Sequence, residues 1–254
     1  MKILCKCLAG SHMYGLNSPD SDLDYRGIFL NDTAEQIIGM GRHDYVDLRN
    51  DTQDEFMWEF RHYMNSLRKT NTQSLELLFN DKWIEVDKKF LLLQEVKEEF
   101  IDCEKLYTSL KGYMSNEYRL ATGERTGDMG SKRRNQLEKY GFSPKNFTNL
   151  FRLAYSGITL FKEGYFPTDI KTDNPELAEE LLILKINPTL WTIYELKHLY
   201  EVNMQNLDEA FNNRGYDYKF NVELANELIL HAYLPILNGI SRKLSKKYAL
   251  ESKE

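Results

Sequence analysis

The sequence predicts an α+β protein: a small mixed β-sheet with flanking helices over residues 1–86, then an α-helical region over residues 87–254. Two observations carry this. Short apolar runs broken by turn-forming clusters fill the first third of the chain, as strands in a mixed unit require. From Lys88 onward apolar residues recur at spacings of three and four, the period of a helix face.

Taken in order, Ile3 to Ala9 is an apolar run ending at Gly10-Ser11, which fits a buried strand and a turn. The cluster Asn17-Ser18-Pro19-Asp20-Ser21 is a second turn, after which Leu23, Tyr25, Ile28, Phe29 and Leu30 predict a second strand. A third strand is expected from about Glu55 to Phe60, passing into a helix through Tyr63 and Leu67. Leu93, Val96, Phe100, Cys103, Tyr107, Leu110 and Met114 read as one face of a single long helix. Thr122 to Ser131, rich in Gly and polar residues, is the most linker-like stretch. Asn174-Pro175 reads as an N-cap followed by Pro at the first helical position. After Pro188, residues Leu190, Ile193, Tyr200, Leu207 and Phe211 form another stripe. Residues 222–248 give a last helix, interrupted or kinked near Pro235, whose terminal Arg242, Lys243, Lys246 and Lys247 suit the negative end of a helix dipole.

Composition removes several classes of function. Lys and Arg total 33 against 39 Asp and Glu, a formal charge of −6, so bulk positive charge does not hold this chain to nucleic acid. Any such contact must be a local patch. Apolar runs such as Leu181 to Ile186 fall far short of the ~20 residues of a membrane span. The N-terminus lacks an apolar signal region, and three cysteines, Cys5, Cys7 and Cys103, suit a reducing compartment better than a disulfide framework. A soluble, cytoplasmic protein is expected, without a membrane partner. The oligomeric state is not legible.

Chemistry concentrates in residues 9–25. Ten residues after the Gly10-Ser11 turn comes Asp22-Leu23-Asp24. On a strand, alternate residues share a face, so Asp22 and Asp24 would both point into one cleft and repel unless a divalent cation lies between them or one is protonated. A Gly-Ser turn lets backbone amides and a hydroxyl approach a polyphosphate. Mg²⁺, which takes a few carboxylates together with water and substrate phosphate oxygens, suits this combination, and Mn²⁺ could replace it. A third carboxylate would complete a two-ion site. The segment Asp54-Glu55-Phe56-Met57-Trp58-Glu59-Phe60 offers three candidates, and Asp54, at the start of the apparent strand, is preferred to Glu59.

The string Gly10-Ser11-His12-Met13-Tyr14-Gly15, followed by Ser21-Asp22-Leu23-Asp24-Tyr25-Arg26-Gly27, resembles the DNA polymerase β superfamily of nucleotidyltransferases, and most closely its RNA-ligase-associated branch of bacteria and large phages. The likeness is sharpest over residues 8–30. It extends more weakly through segments similar to Glu59-Phe60-Arg61-His62-Tyr63 and Leu75-Glu76-Leu77-Leu78-Phe79, and then to a helix resembling Lys145 through Leu153. The resemblance implies transfer of a nucleoside monophosphate from an NTP to an acceptor hydroxyl, RNA among the acceptors. Asp22, Asp24 and Asp54 would hold two Mg²⁺ ions, and Gly10 and Ser11 the terminal phosphates. It also implies a catalytic domain over 1–86 and a helical domain over 87–254 that helps shape the substrate cleft.

Around this centre stand further candidates for substrate contact: His12, Ser21, Arg26, Lys145 and Arg152. Arg26 can serve a phosphate or pair with a carboxylate on its own strand face. Lys145 and Arg152, seven residues apart, share a helix face roughly 10 Å apart along the axis. His12 can contact a phosphate or merely cap the turn. The run Lys132-Arg133-Arg134 is either an acceptor contact or a solvated loop. Two alternatives to an enzyme follow from the same residues: an inactive NTP- or RNA-binding module on the same fold, and an assembly partner using the helical stripes.

Overall fold

The computed structural model describes residues 1–19, 21–41, 43–48, 53–125 and 130–251. Strand β1 (Lys2–Leu8) leads through the one-turn helix α1 (Gly10–Met13) to β2 (Leu23–Leu30), then α2 (Ala34–Ile38), the short β3 (Tyr45–Asp47) and β4 (Gln53–Glu59). Helices α3 (Phe60–Arg68) and α4 (Thr72–Phe79) follow, then a two-residue strand, β5 (Glu85–Val86). The five strands form one mixed sheet in the order β3-β4-β2-β1-β5, with β2 and β4 parallel and the other pairs antiparallel.

Two features of this sheet place the site. The antiparallel β1–β2 pairing sets Leu8 against Tyr25, so the turn after β1 and the acids at the start of β2 share one edge. The parallel β2–β4 pairing sets Asp24 directly opposite Asp54. Strand β2 is polar in its first half and apolar in its second. Accordingly Gly27, Ile28, Phe29 and Leu30 are buried while Leu23 to Arg26 remain accessible. The buried end anchors the strand and the open end presents its carboxylates.

The helical region comprises α5 (Lys88–Glu95), a 3₁₀ turn (Lys97–Phe100), α6 (Cys103–Ala121), α7 (Ser131–Tyr140) and α8 (Pro144–Glu163). Beyond these lie α9 (Ile170–Asp173), α10 (Pro175–Ile186), α11 (Ile193–Asn212) and α12 (Val222–Glu251). The single long helix expected through Leu93 and Met114 is instead broken between Val96 and Asp102. Asp102 takes an extended backbone and its carboxylate accepts from Lys105 N at 3.1 Å, starting a new helix. The spacing still marks the core, since Leu93, Phe100, Cys103, Leu110 and Met114 are all buried.

Asn174 caps α10 with Pro175 at its first position, as expected. Helix α12 runs through Pro235 without interruption. Of the expected linker, residues 126–129 lie outside the described residues. Helices α6 and α8 approach closely at Gly157, where a Cβ would stand 2.6 Å from Leu110 Cδ1. One apolar cluster extends from Leu4 in the sheet to Leu207 in α11. Among the described residues no helix is long and apolar enough to cross a membrane.

Candidate active site

A cleft of about 460 Å³ opens where the start of β2 meets α4, α8 and α10. Its walls include Gly10, Ser11, Ser21, Asp22, Asp24, Lys145 and Arg152, seven of the ten residues the sequence singles out. Asp22 and Asp24 therefore face one hollow. Ala9 N donates to Asp24 O at 2.8 Å, which docks the turn after β1 against β2. Gly10 has φ +58°, and a Cβ there would collide with the Asp24 carboxylate. Only glycine allows this approach.

Burial pushes the Asp24 carboxyl above the ordinary carboxylate range. Arg26 opposes that shift, the negative charges of Asp54 and Asp22 add to it, and Lys145 opposes it again. Three acids thus sense one another electrostatically, yet they do not form a finished cage. Asp54 is not part of the cleft wall and lies 3.4 Å from Arg26 Nη1, while Arg26 also donates to Tyr25 O at 2.8 Å. Of the two roles open to Arg26, it takes up the carboxylate pair here. Among the described residues no group of three His, Cys, Asp or Glu side chains is arranged to hold an ion.

The donor set fits a hard cation that draws only part of its shell from protein. Asp22 and Asp24 supply oxygens at an open cleft, and Asp54 stands one strand away.

Glu59, the other candidate third carboxylate, is elsewhere. It sits five residues beyond Asp54, ~17 Å along the strand. It is fully buried, caps α3 by accepting from His62 N at 3.2 Å, and takes the hydroxyl of Tyr233 from α12. Its work is structural. Glu55 is bound to Lys6 at 2.8 Å.

Ser21 lines the cleft and also folds its loop, accepting from Ser18 N at 2.9 Å. His12 lies on α1 outside the cleft lining, with Nε2 buried and without a hydrogen-bond partner among the described residues. Lys145 stands exposed at the cleft on the first turn of α8. Behind it Glu117 is buried, accepts from Asn146 Nδ2 at 2.9 Å, and has its pKa raised by that burial.

Arg152 is not an open arm beside Lys145. It is 4% exposed, its guanidinium lies 3.6 Å from the centre of the Tyr14 ring, and Nη1 is 3.0 Å from Glu76 Oε1. The Tyr14 hydroxyl donates to the other oxygen of Glu76 at 2.8 Å. Arg152 Nη1 is close to Glu76 without hydrogen-bond alignment, and Nε has no partner either. The hydroxyl of Thr148, another buried residue of the cleft wall, is also unpaired. Burial, opposed by Arg152 and reinforced by Glu76, keeps the Tyr14 hydroxyl protonated far above its ordinary range. Ile170 N donates to Tyr14 O at 3.1 Å, so the helical region also holds the turn's backbone.

Sequence reasoning missed Tyr14, Glu76 and Lys185. Glu76 is a lone acid among Leu75, Leu77 and Leu78, and Lys185 a lone cation inside an apolar run; each pattern is a signal of a buried partner. Lys185 reaches from α10 to donate to Leu16 O at 2.8 Å and to Ser21 Oγ at 3.5 Å. Burial and the charge of Lys145 lower its pKa. Asn71 caps α4 with its own side chain, accepting from Ser74 N, and Thr72 beside it lines the cleft.

With the turn, the paired acids and the cleft in place, comparison with known families decides the kinship. The profile of RlaP, the RNA repair pathway DNA polymerase beta family, matches residues 1–167. The chain belongs to this family. The match takes in the sheet, the acids and all of α8, and ends before α9, so Lys185 lies outside it. Comparison with curated proteins returned no match.

Proposed function

We propose that this member of the RlaP family is a Mg²⁺-dependent nucleotidyltransferase. It moves a nucleoside monophosphate from an NTP to an acceptor hydroxyl, RNA among the acceptors, and releases pyrophosphate. The observation that carries this is the contact of Gly10 with Asp24 in a cleft that Asp22 also lines. The Gly-Ser turn and the paired acids therefore stand side by side at the cleft.

In this scheme Ser11 and the Gly10 amide hold the β or γ phosphate, and Lys145 holds the triphosphate from the helical side. His12 and Ser21 set the loop that carries these groups. Asp22, Asp24 and Asp54 would hold the cation, Asp54 after exchanging its contact with Arg26. When bound there, Mg²⁺ or Mn²⁺ supplies activation of the hydroxyl and neutralisation of the departing pyrophosphate. The acceptor oxygen bonds to the α phosphorus, the bond to the bridging oxygen of the β phosphate breaks, and the hydroxyl proton is lost. The sheet unit to about residue 86 carries the catalytic groups and the helical region shapes the cleft. A cytoplasmic setting, the host cytoplasm if the gene is phage-borne, suits the reduced cysteines.

The test is incubation with labelled NTPs, Mg²⁺ or Mn²⁺ and pooled RNA. Metal-dependent transfer that disappears in Asp22→Ala and Asp24→Ala is the expected result, and its absence overturns the proposal. One observation favours a second reading, an NTP- or RNA-binding module without turnover: Asp54 is paired with Arg26. Calorimetry separates the two, since a simple binder retains NTP affinity when Asp54 is replaced by Ala.

A further inference from the structure

Beside the cleft lies a smaller groove of about 200 Å³, and the two share Gln136 and Lys185 as a common wall. The groove runs between the last turn of α7, with Asn135, Lys139 and Tyr140, and the end of α10 near Ile186 and Pro188. Among the described residues no Asp or Glu lines it, in a chain where acids outnumber bases 39 to 33. Its cations are held in place: Lys139 Nζ stands 4.9 Å from the centre of the Tyr140 ring, and Lys185 is tied to Leu16 O.

Two further observations concern the positive charge beside the groove. Lys185 donates to Leu16 O and Ser21 Oγ, and it is close enough to Lys145 for that charge to disfavour its own. Like charges set close together repel, and a bound anion relieves that repulsion. On α7 itself, Arg133 and Arg134 occupy the first turn, the end of a helix where cations are disfavoured by the dipole. The run the sequence left open as a solvated loop is therefore helical, and helix stability does not explain its charge.

We propose that this groove is the path along which a single-stranded polynucleotide acceptor enters, its phosphodiester backbone passing over Lys139 and Lys185 toward the acids. The proposal rests on the nucleotidyl-transfer function above and assigns the acceptor's route. Amides of Asn135 and Gln136 and cations without carboxylates suit phosphate and sugar contact, which positions a strand without reading its sequence.

The test uses the full chain and a short fluorescent single-stranded RNA, read by anisotropy across a salt series. Lys139→Glu is expected to weaken binding on the order of five- to tenfold and to make the dependence of log K on log salt shallower by about 0.7. NTP binding is expected to stay unchanged, since Lys139 lies outside the cleft. RNA carrying 4-thiouridine is expected to crosslink to Tyr140 or its neighbours on α7. Unchanged RNA affinity in both Lys139→Glu and Lys185→Gln, crosslinks confined to other elements, or equal competition by duplex RNA each overturns the route. Failure of the transferase function is distinguishable: RNA then binds and crosslinks as described, with no nucleotide transferred.

Discussion

Replacing Arg152 by Met separates a structural arginine from a substrate-binding one. Arg152 is 4% exposed and Glu76 5%, and the two are 3.0 Å apart. In Arg152→Met the Glu76 carboxylate keeps only the Tyr14 hydroxyl, and breaking a buried pair in this way costs about 3–5 kcal/mol. Domains of this size lose roughly 2–4 °C in Tm per kcal/mol, so a fall of roughly 6–20 °C is expected. The double variant Arg152→Met with Glu76→Leu removes both charges and is expected to recover most of that loss, leaving the orphaned Tyr14 hydroxyl to cost about 1–3 kcal/mol. Urea unfolding of the four species, with m-values compared, gives the coupling energy directly. Were Arg152 an arm waiting for phosphate, the single variant would keep its stability and lose only NTP affinity. Single losses below about 1 kcal/mol that add in the double variant would refute the clamp.

Three other perturbations address the acids and the turn. Gly10→Ala places a methyl group against the Asp24 carboxylate in a backbone with φ +58°, so stability is expected to fall by about 1–3 kcal/mol and metal-dependent transfer to be lost, measured by melting and by label transfer. Because the Asp24 pKa is raised in the folded chain, the unfolded chain ionises first as pH rises. The metal-free protein is therefore expected to lose stability between the ordinary aspartate value and the raised one, and Asp24→Asn to abolish that loss while also abolishing transfer; a pH-independent difference between the two proteins refutes the shift. Arg26→Gln frees Asp54 and removes a cation beside Asp24, so Mn²⁺ affinity measured by calorimetry is expected to rise several-fold; no change removes Asp54 from the ligand set.

What the sequence made legible is what lies close along the chain. Gly10, Ser11, Asp22 and Asp24 fall within fifteen residues; strand alternation predicts a shared face for the acids, whereas Asp22 stands just before β2, and both still line the cleft. Choosing between Asp54 and Glu59 needed the β2–β4 register, a long-range fact that places one opposite Asp24 and buries the other under Tyr233. The break before α6 was hidden because a helix stripe survives a kink when both pieces pack on the same core. The surroundings of Arg152 were hidden for a related reason: helical spacing from Lys145 gives the direction of a side chain and says nothing of Glu76 and Tyr14, which meet it from two other elements.

That meeting has a consequence for how the two halves of the chain depend on each other. Tyr14 directly follows α1, Glu76 belongs to the sheet-side helices, and Arg152 and Ile170 come from the helical region. Lys185 then fixes the outer part of the same loop through Leu16 O. The turn between β1 and β2 has little regular structure of its own beyond the four-residue α1, so its shape is imposed from the helical side. A sheet unit ending near residue 86 would keep Asp24 and Asp54 on their strands, Asp22 just before β2 and the Ala9–Asp24 hydrogen bond, and would lose the contacts that Arg152 and Ile170 make with Tyr14 and Lys185 with Leu16. The local motif specifies which residues meet, and the helices supply the rigidity that holds the Gly10-Ser11 turn against the acids.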